Sequence, residues 1–91
     1  MSTDISPQVA DEIRSAIQKF ERYGFSLEST EGEGMMFWAV FKQAESVLTL
    51  VKDRGYWWVI CGESEGQASP SRKSQAAAIE DALNWIQQRN A

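Results

Sequence analysis

Residues 35–61 read MMFWAVFKQAESVLTLVKDRGYWWVIC, and this stretch decides the fold of the 91-residue chain. It holds three runs rich in β-branched and aromatic residues, each of ordinary strand length. The runs span residues 35–43, 47–52 and 56–61. Residues 43–46 (Gln-Ala-Glu-Ser) connect the first pair. Residues 53–55 connect the second pair as a three-residue loop with Gly55 in the left-handed conformation. The pattern predicts three consecutive antiparallel strands.

The flanking segments predict a helix at each end of the chain and one further strand. Residues 7–23 carry an apolar stripe at helical spacing, begin after the capping residue Ser6 and stop at Gly24. Residues 75–89 predict a second amphipathic helix, and residues 25–30 alternate between apolar and polar as a strand does. The predicted fold class is therefore α+β in the order α-β-β-β-β-α, a four-stranded antiparallel meander with two helices packed on one face.

Nothing in the chain predicts a division into domains. Residues 62–73 are small and polar, which predicts a loop that includes a short edge strand near residues 67–69. No linker is long enough to separate two cores, so residues 1–91 are predicted to form a single α+β domain with a flexible N-terminus over residues 1–5.

The composition excludes several classes of enzyme. The chain has no histidine and a single cysteine, so it can form neither a Ser-His-Asp triad nor a Cys-His pair, nor a histidine zinc site. The carboxylates Glu31 and Glu33 lie in a glycine-containing turn, and a solvated acidic turn is the interpretation that fits them best. We therefore predict no enzymatic activity, no catalytic residues, no cofactor and no metal site.

The N-terminal residues and the cysteine content predict where the protein is located. The first residues do not have the basic and apolar regions of a signal peptide, and the longest apolar run, residues 35–41, is far too short to span a membrane. The lone Cys61 cannot form a disulfide within the chain, which is typical of a reducing compartment. The prediction is a cytoplasmic protein without a membrane partner.

Two family resemblances follow from this order of elements. The layout resembles the α-β-β-β-α arrangement of double-stranded-RNA-binding domains. The last third is also similar to small bacterial domains of unknown function, in which an aromatic strand precedes a Ser/Thr-capped helix containing Ala-Ile-x-x-Ala. In this chain those elements are Trp-Trp-Val at residues 57–59 and Ser-Gln-Ala-Ala-Ala-Ile-Glu-Asp-Ala at residues 74–82.

The resemblance to RNA-binding domains implies a phosphate-binding cluster at the junction before the last helix. Only Arg72 and Lys73 carry over to that cluster, and with Ser74 they form a candidate anion-binding site. The family's other contact loop corresponds to residues 31–34, whose two glutamates repel phosphate. With 13 acidic and 9 basic residues the net charge is −4, so nucleic-acid binding is an alternative and not the preferred function.

The register of the hairpins decides which side chains share a face of the sheet. A simple hairpin closed by residues 43–46 and a three-residue loop after it direct seven residues toward the helices: Phe37, Ala39, Phe41, Leu48, Leu50, Trp58 and Ile60. The opposite face should then be unusually apolar for a solvated sheet. From it we predict a protein interface formed by Met36, Trp38, Val40, Thr49, Val51, Trp57 and Val59.

An exposed apolar face of this kind is typical of a protein-interaction module, and a homodimer is the simplest way to cover it. Two structural alternatives stay open: residues 62–73 or the C-terminal tail cover the face, or one register is shifted by a residue. Functional alternatives are the nucleic-acid-binding domain and a small acidic inhibitor from a phage or mobile element. The inhibitor reading depends on charge asymmetry, since residues 1–35 hold seven acids and three bases.

Overall fold

The chain folds into an antiparallel sheet with helices on one face in a computed structural model, which describes residues 5–44, 46–62 and 67–89. The described helices are α1 (Pro7–Glu12), α2 (Arg14–Glu21) and α3 (Gln75–Arg89). The strands are β1 (Ser26–Glu33), β2 (Met36–Gln43), β3 (Ser46–Asp53), β4 (Tyr56–Cys61) and β5 (Gln67–Ala68). The sheet order β1-β2-β3-β4-β5 confirms the predicted α+β meander, with β5 at the expected edge position. The predicted flexible N-terminus falls mostly on residues 1–4, outside the described residues.

The first predicted helix is interrupted at one residue. Ile13 has φ −103° and ψ 22° and divides the predicted helix of residues 7–23 into α1 and α2. Hydrogen bonds continue across the interruption, because the Ile13 N–H donates to the Val9 carbonyl and the Ile17 N–H donates to the Ile13 carbonyl, both at 3.0 Å. The Ser6 hydroxyl accepts from the Val9 N–H at 3.4 Å, which confirms the predicted N-cap.

A Schellman motif ends α2 and turns the chain into β1. The Phe25 N–H donates to the Phe20 carbonyl and the Gly24 N–H donates to the Glu21 carbonyl, both at 3.0 Å. Gly24 has φ +87°, as its position after the helix predicts. Phe20 and Phe25 are both fully buried, so the same turn that satisfies the carbonyls of the helix also directs two aromatic rings into the core.

Alanine at Gly24 should destabilise the fold by about 2 kcal/mol, against about 1 kcal/mol for alanine at Gly55. Both glycines have φ +87°, so both substitutions impose the same backbone strain. At Gly24 the new Cβ would also meet the Gln43 amide nitrogen at 2.5 Å, whereas nothing lies within 4 Å at Gly55. That amide donates to the Tyr23 carbonyl at 2.7 Å and would have to move. Chemical denaturation of the two variants measures the difference, and equal losses would contradict this account.

The core lies between the sheet and the helices. Its fully buried large side chains are Phe20, Phe25, Phe41, Ile13, Leu48, Leu50, Ile79, Ile86 and Val59. Phe20 of α2 meets Phe41 of β2 edge-on, with ring centroids 4.9 Å apart and planes at 82°. Residues from α2, α3 and three strands thus belong to one cluster, so the helices cover a single face of the sheet.

One end of the helix-facing side is closed by a lysine. Lys52 lies between its cross-strand partners, with its ammonium 5.9 Å from the Phe37 ring centroid and 5.2 Å from that of Trp57. The same ammonium pairs with the Glu12 carboxylate of α1 at 2.5 Å. Two aromatic rings and a carboxylate therefore stabilise a charge at the margin of the core, and they tie α1 to the centre of the sheet.

Candidate protein-interaction surface

The register of β2 against β3 is the one that the sequence predicts. Phe41 lies opposite Leu48, Ala39 opposite Leu50, and Phe37 opposite Lys52. Ala39, Phe41, Leu48 and Leu50 are fully buried against the helices. Because side chains alternate along a strand, Met36, Trp38 and Val40 of β2 lie on the other face together with Thr49 and Val51 of β3.

The predicted register of β4 is wrong by one residue, because the β3–β4 loop has two residues and not three. Arg54 and Gly55 both have positive φ, at 53° and 87°, which is the backbone of a type I′ hairpin turn. Asp53 therefore pairs with Tyr56, and every later residue of β4 changes face.

This register corrects two residues of the predicted interface. Trp57 and Val59 lie on the helix side, with 6% and 0% of their surface exposed. Cys61, two residues further along β4, is also part of the core. Trp58 and Ile60, which the sequence assigned to the core, lie on the other face and are partly exposed.

The side of the sheet away from the helices is apolar across its three central strands. We call this surface the open face and define it by seven residues: Met36, Trp38, Val40, Thr49, Val51, Trp58 and Ile60. All are partly exposed except Val51, which is 2% exposed. Trp38 and Trp58 flank Val51 as its partners in the two neighbouring strands. Two indoles one strand apart on either side of β3 therefore form the centre of the surface.

A shallow depression of about 330 Å³ lies in the middle of the open face. Its lining residues are Met36, Trp38, Val40, Thr49, Val51 and Ile60. The lining consists of three residues of β2, two of β3 and one of β4. A surface with this relief can accept protruding apolar side chains from a partner.

No element within residues 5–44, 46–62 and 67–89 packs across the open face. The segment after β5 extends the edge of the sheet, because the Ser69 N–H donates to the Val59 carbonyl at 2.8 Å. Arg72 and Trp57 exchange backbone hydrogen bonds of 2.7 and 2.8 Å in the same way. Residues 67–73 therefore run beside β4, whereas residues 63–66 and 90–91 of the two predicted coverings lie outside the described residues.

The three candidate anion-binding residues have different surroundings in the structure. The Arg72 guanidinium makes two hydrogen bonds to the Asp81 carboxylate of α3, Nε to Oδ2 at 2.8 Å and Nη2 to Oδ1 at 3.0 Å. The hydrogen bond and charge of Asp81 raise the pKa of Arg72 above its ordinary value. The Ser74 hydroxyl accepts the Ala77 N–H at 3.2 Å as a helix cap, and Lys73 is exposed. Arg72 therefore ties the strand edge to α3, with its charge already balanced by a carboxylate.

The thiol of Cys61 is poorly suited to act as a nucleophile. Burial, and then the nearby charge of Asp81, raise its pKa to about 11. Very little thiolate exists at neutral pH with such a pKa, and the thiolate is the nucleophile.

Within the described part of the chain no three His, Cys, Asp or Glu side chains gather as metal ligands. None of the described helices is long and apolar enough to cross a membrane.

Comparisons with known proteins give no match: no family model fits the chain, and no curated protein or solved structure is significantly similar to it. The resemblances to double-stranded-RNA-binding domains and to small bacterial domains stay predictions from the sequence.

Proposed function

We propose that this protein is a non-enzymatic, cytoplasmic protein-interaction module that self-associates through its open face. The observation that carries the proposal is the pair Trp38 and Trp58, which lie partly exposed on either side of Val51 with no described element over them. A solvated antiparallel face normally carries polar side chains. Seven neighbouring positions without a charge are typical of the centre of an interface.

Hydrophobic burial provides the driving force for association. Tryptophan is among the residues that contribute most at interfaces, because a ring that leaves water buries a large apolar area at little entropic cost. The seven positions span roughly 10 Å across the strands and roughly 13 Å along them. A footprint of this size lies toward the small end for protein interfaces, so we expect a reversible association of micromolar rather than nanomolar strength.

A second copy of the chain is the partner that this surface fits most simply. In a twofold dimer one apolar patch covers its own equivalent, so no second surface of matching shape has to be supplied. The central depression can accept apolar side chains of the second copy. Charged residues on this side of the sheet lie around the open face and not within it: Glu31, Glu33, Lys42 and Asp53. This arrangement leaves no unpaired charge to desolvate at the centre.

The four tryptophans provide the test, because they sample both faces of the sheet. Trp38 and Trp58 belong to the open face, whereas Trp57 and Trp85 pack against the core. We expect the indole N–H resonances of Trp38 and Trp58 to shift as the protein is diluted, and those of Trp57 and Trp85 to stay constant. Four concentration-independent indoles, or shifts confined to Trp57 and Trp85, would contradict the proposal.

A further inference from the structure

The β1 edge of the open face is acidic. Glu31 lies opposite Trp38 and Glu33 lies opposite Met36 in the β1–β2 register. Residues directly opposite each other in an antiparallel pair point to the same side, so both carboxylates lie beside the open face, on the same side of the sheet. Both side chains are exposed.

The β4 edge of the open face carries hydrogen-bond donors and a positive charge. A second depression, of about 360 Å³, is lined by Asp53, Arg54, Tyr56, Trp58 and Ser71. The Arg54 side chain is 80% exposed and forms a long ion pair with Asp53, 4.0 Å from Nε to Oδ1, which is beyond hydrogen-bond distance. The guanidinium of Arg54 and the hydroxyls of Tyr56 and Ser71 together form an edge that can receive a carboxylate.

Two exposed hydrophobic residues lie at the same end of the sheet as these charges. Met35 is 76% exposed in the β1–β2 turn, and Tyr56 is 48% exposed at the start of β4. The end row of the sheet pairs Glu33 with Met36, Met36 with Asp53, and Asp53 with Tyr56. At this end of the sheet, the β1 side therefore carries an acid and an apolar residue, Glu33 and Met35. The β4 side carries a base and an exposed aromatic residue, Arg54 and Tyr56.

Two sheets stacked face to face with aligned strands can be related by a twofold axis in either of two directions. An axis across the strands places β1 against β1 of the second copy, which brings four carboxylates from Glu31 and Glu33 together. An axis parallel to β3 keeps the two end rows together and places the β1 edge over the β4 edge of the second copy. Only the second choice brings Glu33 to Arg54 and Met35 to Tyr56.

We propose that two copies of this chain stack with the twofold axis parallel to β3, so that Glu33 of each copy pairs with Arg54 of the other. This inference rests on the proposed function and adds the orientation of the partner. The apolar centre supplies the attraction, while the unlike edges select the direction of the axis, as rim charges do at other interfaces.

A charge-swap experiment tests the orientation. Glu33→Lys and Arg54→Glu should each raise the dissociation constant of the homodimer about tenfold, because each places two like-charge pairs in the dimer. An equimolar mixture of the two variants should associate more tightly than either variant alone, since both facing pairs of the heterodimer join opposite charges. Glu80→Lys and Arg22→Glu make the same charge changes at exposed positions of the helical side and should leave association unchanged.

The outcomes separate this inference from the proposed function. A wild-type dimer whose association neither swap weakens would overturn the orientation and leave the self-association intact. Weakening by both swaps without recovery in the mixture would also overturn it, since the two sites would then not face each other. A wild-type protein that stays monomeric at all concentrations would overturn the proposed function itself, and the orientation with it. Only tighter association in the mixture than in either variant supports the pairing of Glu33 with Arg54.

Discussion

Replacing Trp57 with alanine should lower the free energy of unfolding by about 3–5 kcal/mol, whereas the same replacement at its neighbour Trp58 should cost about 1 kcal/mol. Trp57 is 6% exposed and meets the Phe37 ring edge-on, with centroids 5.8 Å apart and planes at 82°. Its removal would leave a cavity in the core and take away one of the two rings beside Lys52. Trp58 lies on the open face, where solvent can fill the space that it leaves.

The comparison is made by chemical denaturation at low protein concentration, so that dissociation of a dimer does not contribute to the apparent stability. Since Trp57→Ala removes a large share of the stability expected for a domain of this size, Trp57→Phe serves as a milder variant with a smaller loss in the same direction. A larger loss at Trp58 than at Trp57 would reverse the assignment of the two faces and the interface with it.

Most of this fold can be predicted from the sequence, because the helix caps and the β2–β3 hairpin depend on residues that are close together in the chain. Ser6 and Gly24 mark the two ends of the first helical segment through a side-chain cap and a left-handed residue, and both act within a few positions. The β2–β3 hairpin has matched apolar residues on both strands, so one register buries Phe41 and Leu48 together. The interruption at Ile13 has no such signal, since neither proline nor glycine lies near it.

The register of β4 could not be predicted from the sequence, for two physical reasons. The loop sequence Asp-Arg-Gly suits a two-residue or a three-residue turn, and the choice depends on Arg54 adopting φ 53°, which is uncommon for a residue with a Cβ. The strand that follows does not alternate, since Trp57, Trp58, Val59 and Ile60 are all apolar. Either face could therefore be turned to the core, and only the packing in three dimensions decides between them.

The pairing of Arg72 with Asp81 at the candidate anion site could not be predicted from the sequence either. Arg72 and Asp81 are nine positions apart, one beside a strand edge and the other on α3. Their pairing depends on the path of residues 67–73 along β4, which is set by backbone hydrogen bonds to Trp57 and Val59. A basic residue before a helix therefore predicts an anion site only when no carboxylate of the same helix reaches it.

Replacing Trp38 with glutamate should abolish self-association while leaving the fold intact. The substitution places a carboxylate at the centre of the open face, where a second copy would have to bury it without a partner. Each dimer would carry two such groups, so we expect the dissociation constant to rise on the order of a hundredfold or more. In the monomer the carboxylate can reach water, because Trp38 is partly exposed, and the variant should stay folded.

A matched control separates the position of the charge from the charge itself. Gln18→Glu adds the same negative charge at an exposed position of α2, on the helical side of the molecule. This variant should associate as the wild type does, and far-ultraviolet circular dichroism should show all three proteins folded. If Trp38→Glu unfolds instead, then Trp38 is covered within the chain, and the open face is part of a core.

Sedimentation velocity across a wide range of protein concentration tests whether the chain self-associates through the open face. We expect the wild type and Gln18→Glu to move from monomer toward dimer as concentration rises, while folded Trp38→Glu stays monomeric throughout. A wild type that stays monomeric over the whole range, or a folded Trp38→Glu that dimerises as the wild type does, would contradict the claim that the open face is the interface.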